Sequence, residues 1–410
     1  MHLKSVREAR NLKNKTVLFR VAYDVPLKLK GKNWVVADER RIAETLPTLQ
    51  YLLKNQCRIV ILSWLKRPGG KVVDKYRMDP VAKALAKLIK KPVRKLDDCV
   101  GPKVQAAISQ LKPGQILMLE NVRFYPQEEE NNPMFAALML EGINLIVFDA
   151  FAQAHRVHAS TTGINQLIPA YAGFLLEKEI KALSKIIKDP KRPLLVILGG
   201  AKISDKIGVL ERLVKIADKV LIGGGLANVF LKGLNIPVGR SFLEDVFVDK
   251  AKRKKINFLE LAKKLYQKNR RKIVLPVDLL AANKIDRHAL IEIVDFGNKE
   301  TINAHRMFLD IGPKTVANFL GEIKKAKTIF WNGPMGVFEI DKFAFGTKKI
   351  AEAVAHAKAV TVIGGGDTEV AAAKYKIEDK ITHLSTGGGA SLEFLAGREL
   401  PGLKAMIKGK

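Results

Sequence analysis

The sequence is poor in cysteine and has no long apolar run. Its two cysteines, Cys57 and Cys99, argue against a disulfide framework and a cysteine-based metal site, and we interpret them as ordinary thiols of a reducing compartment. No apolar run is long enough to span a membrane, and the opening stretch MHLKSVREARNLKNK lacks the apolar core of a signal peptide. We therefore expect a cytoplasmic globular protein.

Acidic residues are scarce relative to basic ones. The 410 residues include 71 Lys and Arg against 41 Asp and Glu, which gives a formal net charge of +30 at pH 7. Such an excess is found in nucleic-acid-binding proteins, but here the basic residues are spread along the chain, without zinc-finger spacing, an RNP motif or a basic low-complexity tail. We expect small anionic molecules as partners rather than a nucleic acid. DNA binding remains a less favoured hypothesis.

Length and patterning predict two α/β domains. A chain of 410 residues exceeds one ordinary core. Short β-rich apolar runs alternate with amphipathic helical stretches, which indicates doubly wound, Rossmann-like parallel sheets covered on both faces. The stretch EKEIKALSKIIKD (177–189) reads as one helix ended by Pro190 and Pro193, and it would serve as the hinge helix between the domains.

Four glycine-rich junctions in the second half follow an apolar strand and precede a helix. They are LLVILGGAKISDKIGVL (194–210), KVLIGGGLANVF (219–230), TVIGGGDTEV (361–370) and HLSTGGGASLEFL (383–395). Glycine lets backbone N–H groups approach a ligand, and a helix start attracts anions, so each junction could bind phosphate. Tight packing would explain any single one, but four at one sheet end favour a nucleotide crevice. None fits a P-loop or GxGxxG pattern.

Several polar residues stand beside these junctions. Asp367 follows three glycines, and its carboxylate would repel a phosphate unless a cation such as Mg²⁺ lay between them. Lys202 and Lys206 are four apart at a predicted helix start, which would place both on one face. Asn332, at a strand end, could donate to a phosphate, and Glu339 could accept hydrogen bonds from ribose hydroxyls.

The successive motifs resemble those of phosphoglycerate kinases. In the second half they are LGGAKISDK, IGGGLANVFLKG, LPVD, DIGPKT, WNGPMGVFE, IGGGDT and STGGGASLEFLAG. In the first half they are RIAETLPTL, MLENVRFYPQEEE, DAFAQAHRVHAS and AGFLLEKEI. The resemblance runs nearly from end to end. It implies two domains facing each other across a hinged cleft, a phosphoglycerate on the first, Mg–ADP or Mg–ATP on the second, and direct in-line phosphoryl transfer between them.

The resemblance also implies domain bounds and site residues. The first domain would cover 1–173 with 391–410 returning to it, the interdomain helix 174–190 and the nucleotide domain 191–390, in a monomer. The implied nucleotide-binding residues are Gly200, Lys202, Lys206, Gly224, Gly225, Asn332, Glu339, Gly365, Gly366, Asp367 and Thr368. Asp367 would hold Mg²⁺, and Glu339 would meet the ribose. The implied catalytic residues are Arg41, Lys202, Gly365 and Gly366.

The acceptor side matches the family less well. Arg41 would stabilise the transferring group, and Arg67, Arg123 and Arg156 would grip the acceptor's phosphate. Asp24 and Trp64 complete the expected substrate-binding set.

Two acceptor motifs depart from the family pattern. The family's RVDxNVP reads RVAYDVP, with Ala22 and Asp24 at the changed positions, and its SHLGRP reads SWLKRP, with Trp64 and Lys66. A third motif departs at Phe148, Ala152 and Gln153. These changes fall where the glycerate hydroxyl and carboxylate would lie. The sequence therefore leaves two hypotheses: an active phosphoglycerate kinase, or a paralogue that binds Mg–ATP with weak activity or another phosphorylated acceptor.

Overall fold

The computed structural model describes residues 2–204, 206–249, 254–297 and 304–408. The chain divides into two compact units, one formed by Met1–Lys181 with Glu399–Lys410 and the other by Ala182–Arg398. This division falls inside the helix expected between the domains, and it assigns 391–398 to the second unit. The narrower domain bounds given above stay a prediction.

The first unit is built on a six-stranded parallel sheet. Its strands are β1 (Thr16–Val21), β2 (Leu27–Lys30), β3 (Asn33–Val36), β4 (Arg58–Leu62), β5 (Arg94–Lys95), β6 (Ile116–Met118), β7 (Leu145–Asp149) and β8 (Ala170–Ala172). The sheet order is β5-β6-β4-β1-β7-β8, while β2 and β3 form a separate antiparallel hairpin. Strands β1 and β7 are buried over their whole length, as expected for parallel strands covered on both faces.

Short helices connect these strands, and two expectations about them were wrong. The helices are α1 (Arg40–Ala43), α2 (Leu46–Lys54), α3 (Asp79–Ile89), α4 (Pro102–Ser109), α5 (Pro126–Glu129), α6 (Pro133–Leu138) and α7 (Phe174–Lys188). The pattern of ERRIAETLPTLQYLLK (39–54) predicts a single helix, but the helix is interrupted after Ala43, because Pro47 lacks an N–H and its ring clashes with the carbonyl four residues earlier. The polar composition of PQEEENNP (126–133) predicts a loop, but this stretch contains α5, on which Glu128 is fully buried.

Helix α7, the predicted hinge helix, begins on a buried carboxylate. Asp149, at the end of β7, accepts hydrogen bonds from Leu176 N at 2.8 Å and from Thr48 Oγ1 at 2.6 Å. Thr48 Oγ1 in turn accepts from Phe174 N at 2.9 Å. These bonds satisfy N–H groups in the first turn that have no partner within the helix, and they fix the start of α7 to the sheet.

Residues 399–408 also pack on the first unit. Leu3 and Ile407 form an antiparallel bridge. Gly402 N donates to Ala154 O at 2.9 Å, and Asn165 Nδ2 donates to Gly402 O at 2.8 Å. The loop after β7 therefore rests on a segment that is distant in sequence.

The second unit contains another six-stranded parallel sheet. Its strands are β9 (Leu194–Leu198), β10 (Lys219–Ile222), β11 (Val246–Asp249), β12 (Lys254–Asn257), β13 (Ile273–Val274), β14 (Asp278–Ala282), β15 (Ile291–Asp295), β16 (Met307–Ile311), β17 (Thr328–Asn332), β18 (Val360–Gly364) and β19 (His383–Ser385). The parallel order is β13-β10-β9-β17-β18-β19. Two parallel sheets confirm the expected α/β class.

One predicted strand of this unit is divided between two sheets. The apolar pattern of KIVLPVD (272–278) predicts one continuous strand, but β13 joins the parallel sheet, and β14 pairs with β15 and β16 in a three-stranded antiparallel sheet. Pro276 lies between the two pieces and has no N–H to donate to a strand ladder. The antiparallel sheet of β14, β15 and β16 contributes residues to the wall of the candidate nucleotide cavity described below.

The helices of the second unit correct a further expectation. They are α8 (Ile207–Ile216), α9 (Gly224–Gly233), α10 (Phe258–Lys268), α11 (Pro313–Lys325), α12 (Phe345–His356), α13 (Gly366–Lys374) and α14 (Gly389–Leu395). Lys206 occupies the N-cap position of α8 without a side-chain capping bond, and Lys202 precedes it in irregular backbone. The inference that both lysines share a helix face was therefore wrong. Within the described ranges, no helix is both long and apolar enough to cross a membrane.

In each unit the strand order reverses at one position in the sheet. The chain builds outward from β1 and then returns to add β7 on its other side; in the second unit it builds outward from β9 and returns to add β17. Loops that leave neighbouring strands in opposite directions at such a point open a crevice at the carboxyl ends of the strands. Each unit therefore has one preferred ligand position.

The buried sheet of the first unit predicts a strong response to truncation of Ile61. Ile61 is fully buried on β4 and is paired with Phe19 on one side and Met118 on the other. We expect Ile61→Ala to lower the free energy of unfolding by about 2–5 kcal/mol and Ile61→Val by about 0.5–1.5 kcal/mol in denaturant titrations. Leu29→Ala, at a position that is 59% exposed, is the control and should change it by less than about 0.5 kcal/mol. Equal stability of all three variants would contradict this packing.

Candidate functional site

The glycine-rich turns after β9, β10 and β17 pack directly on one another. Gly200 N donates to Pro334 O at 2.7 Å, and Gly224 N donates to Met335 O at 3.0 Å. A Cβ on Gly224 would lie 2.6 Å from Gly200 N, closer than real contacts allow. Tight packing therefore accounts for the glycines at these turns, which was the alternative explanation raised from the sequence. The result is a crevice floor made of main chain.

The turn after β18 differs, because Gly366 faces open space, although Gly365 beside it packs on Asn332. A Cβ on Gly366 would meet no described atom within 4 Å, and both Gly366 and Asp367 are exposed. Gly366 is the first residue of the nine-residue helix α13. The first N–H groups of a helix have no partner within it and carry partial positive charge. Packing does not explain this glycine, whereas the approach of an anion would.

Two expected phosphate donors lie beneath this turn. Asn332 Nδ2 donates to Gly364 O at 2.6 Å, and Thr368 Oγ1 accepts from Gly333 N at 2.6 Å. The side chain of Asn332 is 3% exposed, and that of Thr368 is fully buried. In this arrangement both residues hold the loops after β17 and β18 together. Their direct contact with phosphate stays a prediction.

A cavity of about 250 Å³ lies beside the packed turns. Five of the expected nucleotide residues border it, namely Gly200, Gly224, Gly225, Glu339 and Asp367. The apolar part of its lining includes Leu279, Met307, Leu309, Met335 and Val337. A main-chain floor, an apolar wall and carboxylates at the rim suit a flat heterocycle with a polar substituent.

The segment after β9 carries the two lysines, but its backbone already holds an anion. Glu244 Oε2 accepts from Ile203 N at 2.6 Å and from Ser204 N at 3.0 Å. Burial alone would raise the pKa of Glu244, but its hydrogen bonds with Ser204 and Ile203 lower it overall. Because these N–H groups bind a protein carboxylate, any attraction of phosphate here falls to the side chains of Lys202 and Lys206. No motif in the sequence pointed to Glu244.

Asp310 is a buried carboxyl group in the wall of the same cavity. It is 3% exposed, and its Oδ2 accepts a hydrogen bond from Gly346 N at 2.6 Å. Burial raises the pKa of Asp310 to about 7, against hydrogen bonds from Gly346 and Ile311 that lower it. A lone charge in this position would be poorly solvated, so Asp310 favours its neutral form.

Asp367 is the carboxylate that stands at the exposed start of α13. Within the part of the chain that the structure describes, no group of three or more His, Cys, Asp or Glu side chains is placed to hold a metal ion. Magnesium that travels with nucleotide phosphates keeps several waters and needs only one or two protein carboxylates. The donors present therefore fit an ion that arrives with the nucleotide.

In the first unit, the loops after β1, β4 and β6 are joined by hydrogen bonds. Tyr23 N donates to Ser63 Oγ at 2.9 Å, and Lys66 N donates to Asp24 Oδ1 at 3.0 Å. Arg123 Nη1 donates to Lys66 O at 2.9 Å. Asp24, Lys66 and Arg123, which follow three neighbouring strands, therefore lie together at the carboxyl ends of those strands.

The expected acceptor arginines differ in how closely they are held. Arg41 Nη1 donates to Asp24 O at 3.2 Å. Burial lowers the pKa of Arg123, and the nearby guanidinium of Arg156 lowers it further. Arg67 is exposed on the loop after β4. The structure therefore brings Asp24, Arg41, Trp64 and Arg123 together, while the charge of Arg156 acts on Arg123 only through its pKa and Arg67 lies on the outer surface.

Trp64 is the centre of this cluster. It is 3% exposed, with the guanidinium carbon of Arg123 at 4.1 Å and that of Arg20 at 4.6 Å from its ring centroid. Such contacts are favourable cation–π interactions. The indole therefore fixes the orientation of the arginine that is expected to bind phosphate.

Arg20, which is fully buried, was not among the site residues predicted from the sequence. Its Nε donates to Ser160 O at 2.9 Å, and Glu128 accepts from Ser160 N at 2.8 Å. Burial lowers the pKa of Arg20, and the charge of Glu128 opposes this. A lone charged residue inside the apolar strand TVLFRV was the available signal, since a buried charge needs partners.

Comparison with known proteins gives the same family throughout the chain. The family model for phosphoglycerate kinase matches residues 6–398. Phosphoglycerate kinase of Dictyoglomus turgidum is 47% identical over 397 residues, covering 97% of this chain and 96% of that protein. The enzyme of Moorella thermoacetica is 46% identical over 400 residues, covering 97% of each.

Solved structures agree. Phosphoglycerate kinase from Coxiella burnetii superposes with a TM-score of 0.83 at 36% identity, and the match covers 98% of both chains. The structure from Pyrococcus horikoshii gives the same TM-score at 32% identity, also over 98% of both chains.

The buried carboxyl of Asp310 predicts a pH-dependent stability difference. An ordinary aspartate has a pKa near 3.8 and Asp310 has one near 7, so the folded protein binds a proton that the unfolded chain releases between these values. The stabilisation is present below about pH 4 and is lost as the pH rises through about 7. Relative to Asp310→Asn, the wild type should lose about 2–4 kcal/mol of unfolding free energy between pH 4 and 8.

Denaturant titrations at several pH values measure this difference. At pH 4 the folded carboxyl and the amide are both uncharged, so that measurement is the internal control. Parallel stability curves for the two proteins from pH 4 to 8 would show that Asp310 is ionised throughout.

Proposed function

Because this chain belongs to the phosphoglycerate kinase family, we propose that it transfers a phosphoryl group reversibly between 1,3-bisphosphoglycerate with ADP and 3-phosphoglycerate with ATP. It is a phosphotransferase of that family, and the acceptor is a carboxyl group. The observation that carries the assignment is the exposed start of α13, where Gly366 faces open space beside Asp367. Glycolysis in the cytoplasm, as a monomer acting on small molecules rather than nucleic acid, is the setting we propose.

The second unit would bind the nucleotide. The main-chain floor and apolar wall of the 250 Å³ cavity suit the adenine, and Glu339 at its rim would accept hydrogen bonds from the ribose. The phosphates would extend toward Gly365 and Gly366 at the start of α13, with Lys202 and Lys206 supplying positive charge. Asp367 would ligate the Mg²⁺ that accompanies the phosphates, and the ion would neutralise their negative charge.

The first unit would bind the acceptor. Arg123 and Arg156 would bind its phosphate, with Arg67 on the outer side. Arg41 would face the transferring group. Phosphoryl transfer depends on alignment and on stabilisation of charge more than on acid–base chemistry, so donors held in place before the reaction are the main source of rate. No covalent intermediate with the protein is needed.

The altered acceptor residues support the second hypothesis as an alternative. Ala22 offers no side-chain hydrogen bond, and Trp64 fills its position with a buried indole packed against two guanidinium groups. A paralogue with weak activity, or with a different phosphorylated acceptor, would use the same nucleotide side.

A coupled assay with ATP, Mg²⁺ and 3-phosphoglycerate tests the nucleotide side through Asp367→Asn. The amide is a poor ligand for Mg²⁺, so we expect kcat to fall by about 10²-fold, as for loss of one transition-state electrostatic contact. Asp379→Asn, an exposed acid beyond the end of α13, is the matched control. If Asp367→Asn is as active as the control, Asp367 is not a ligand of the catalytic Mg²⁺.

The variant Ala22→Asp, Asp24→Asn, Trp64→His separates the two hypotheses. Each hydrogen bond regained to a charged substrate group should tighten binding of 3-phosphoglycerate by about tenfold to a hundredfold, measured by calorimetry. An active kinase turns over 3-phosphoglycerate before the change as well as after it. A paralogue with another acceptor turns it over only after the change. No turnover by either protein, with Mg–ATP binding intact, would reject the kinase assignment.

A further inference from the structure

Two of the positions that depart from the family motifs are in direct contact. Asp24 Oδ1 accepts a hydrogen bond from Lys66 N at 3.0 Å and lies 3.6 Å from Lys66 Nζ. Asp24 follows β1 and Lys66 follows β4, two adjacent strands of the sheet. The carboxylate of Asp24 therefore joins the loops after β1 and β4, because it contacts both the backbone N–H and the ammonium group of Lys66.

Lys66 has a backbone conformation that needs such support. Its φ is +59°, in the left-handed region that L-residues with a side chain rarely adopt. Glycine adopts this region at little cost, and the resembling motif SHLGRP has glycine at this position. The lysine costs conformational energy, and the bond from its N–H to Asp24 opposes relaxation of the loop.

The two linked residues also support two arginines. Arg41 Nη1 donates to the carbonyl of Asp24 at 3.2 Å, and Arg123 Nη1 donates to the carbonyl of Lys66 at 2.9 Å. The distance between these carbonyl groups depends on the bond from Lys66 N to Asp24. The spacing of the guanidinium groups of Arg41 and Arg123 therefore depends on the same bond.

The pair also cancels its own charge. A lone carboxylate at position 24 would repel an anionic acceptor and attract the guanidinium groups away from it. With the ammonium group of Lys66 at 3.6 Å, the charge of Asp24 is balanced by its own partner, as that of Glu129 is balanced by Arg123 at 3.2 Å. Both side chains are partly exposed, at 30% for Asp24 and 38% for Lys66, so the ion pair adds little to folding stability.

We infer that Asp24 and Lys66 are a coupled positioning pair, which sets the spacing of Arg41 and Arg123 and keeps the acceptor site cationic. The inference rests on the proposed function, because it assigns the pair a role toward the anionic acceptor of that reaction. Asp24 is then a positioning residue, and the ammonium group of Lys66 interacts with Asp24 rather than with the substrate.

Substitution of Asp24 separates the hydrogen bond from the charge. Asp24→Ala removes the acceptor of the Lys66 N–H, and a shift of the arginines by about 1 Å should lower kcat by about 10- to 100-fold. Asp24→Asn keeps an oxygen for that N–H and should recover most of kcat. If Asp24→Ala and Asp24→Asn lower kcat equally, the hydrogen bond does not position the arginines.

Substitution of Lys66 tests the charge. Lys66→Met keeps the length of the side chain and leaves Asp24 as a bare carboxylate, which should raise KM for the phosphorylated acceptor by about threefold to tenfold. Combined with Asp24→Asn, it should raise KM far less. At an ionic strength near 1 M, where screening acts over about 3 Å, the single-variant effect should shrink. The control is Lys264→Met, which removes an ammonium from an ion pair on α10.

The double-mutant cycle decides the inference. An equal rise in KM for Lys66→Met with and without Asp24→Asn would mean that the lysine acts on the acceptor directly, and would overturn it. If the wild type fails to turn over 3-phosphoglycerate, the proposed function has failed instead. In that case, crystal structures of the wild type and of Asp24→Ala test the positioning role of the pair. The inference requires the hydrogen bond from Arg123 Nη1 to Lys66 O to be lost in the variant, and its persistence would contradict the inference.

Discussion

Both candidate sites depend on the parallel alignment of strands whose carboxyl ends reach the same edge of a sheet. Because β1, β4, β6 and β7 all end at one edge, four loops that are far apart in sequence meet there. The same holds for β9, β10, β17 and β18 in the second unit. An antiparallel sheet would have placed half of these loops at the opposite edge.

The two units use different materials at that edge. In the second, turns without side chains pack so closely that main-chain groups form the surface, with Gly366 open to solvent. In the first, charged side chains form it, and each is held by a neighbouring carbonyl, carboxylate or ring. Main-chain amides suit a polyphosphate whose charge is shared with a metal ion, whereas arginines suit a small acceptor with its own phosphate and carboxylate.

Much of this arrangement could be predicted from the sequence, because apolar runs and glycine-rich turns are local signals. The α/β class and the family were foreseen, and so was the meeting of glycine-rich junctions at one end of a sheet in the second half. The errors arose where a tertiary contact decides the outcome. Pro276 divides one predicted strand between two sheets, and Lys202 lies outside the helix predicted to hold it. Glu244 occupies amides that a local pattern would assign to phosphate. The contact between Asp24 and Lys66 joins residues 42 apart, and no local spacing reveals it.

The return of residues 399–408 to the first unit has a consequence for how the protein is made. Gly402 supports the loop after β7 through Ala154, and Ile407 pairs with Leu3. During synthesis the ribosome releases the whole second unit, Ala182–Arg398, before these contacts can form. The first unit therefore lacks part of its packing while the second unit has the chance to fold, which reverses the usual order in which domains fold during translation.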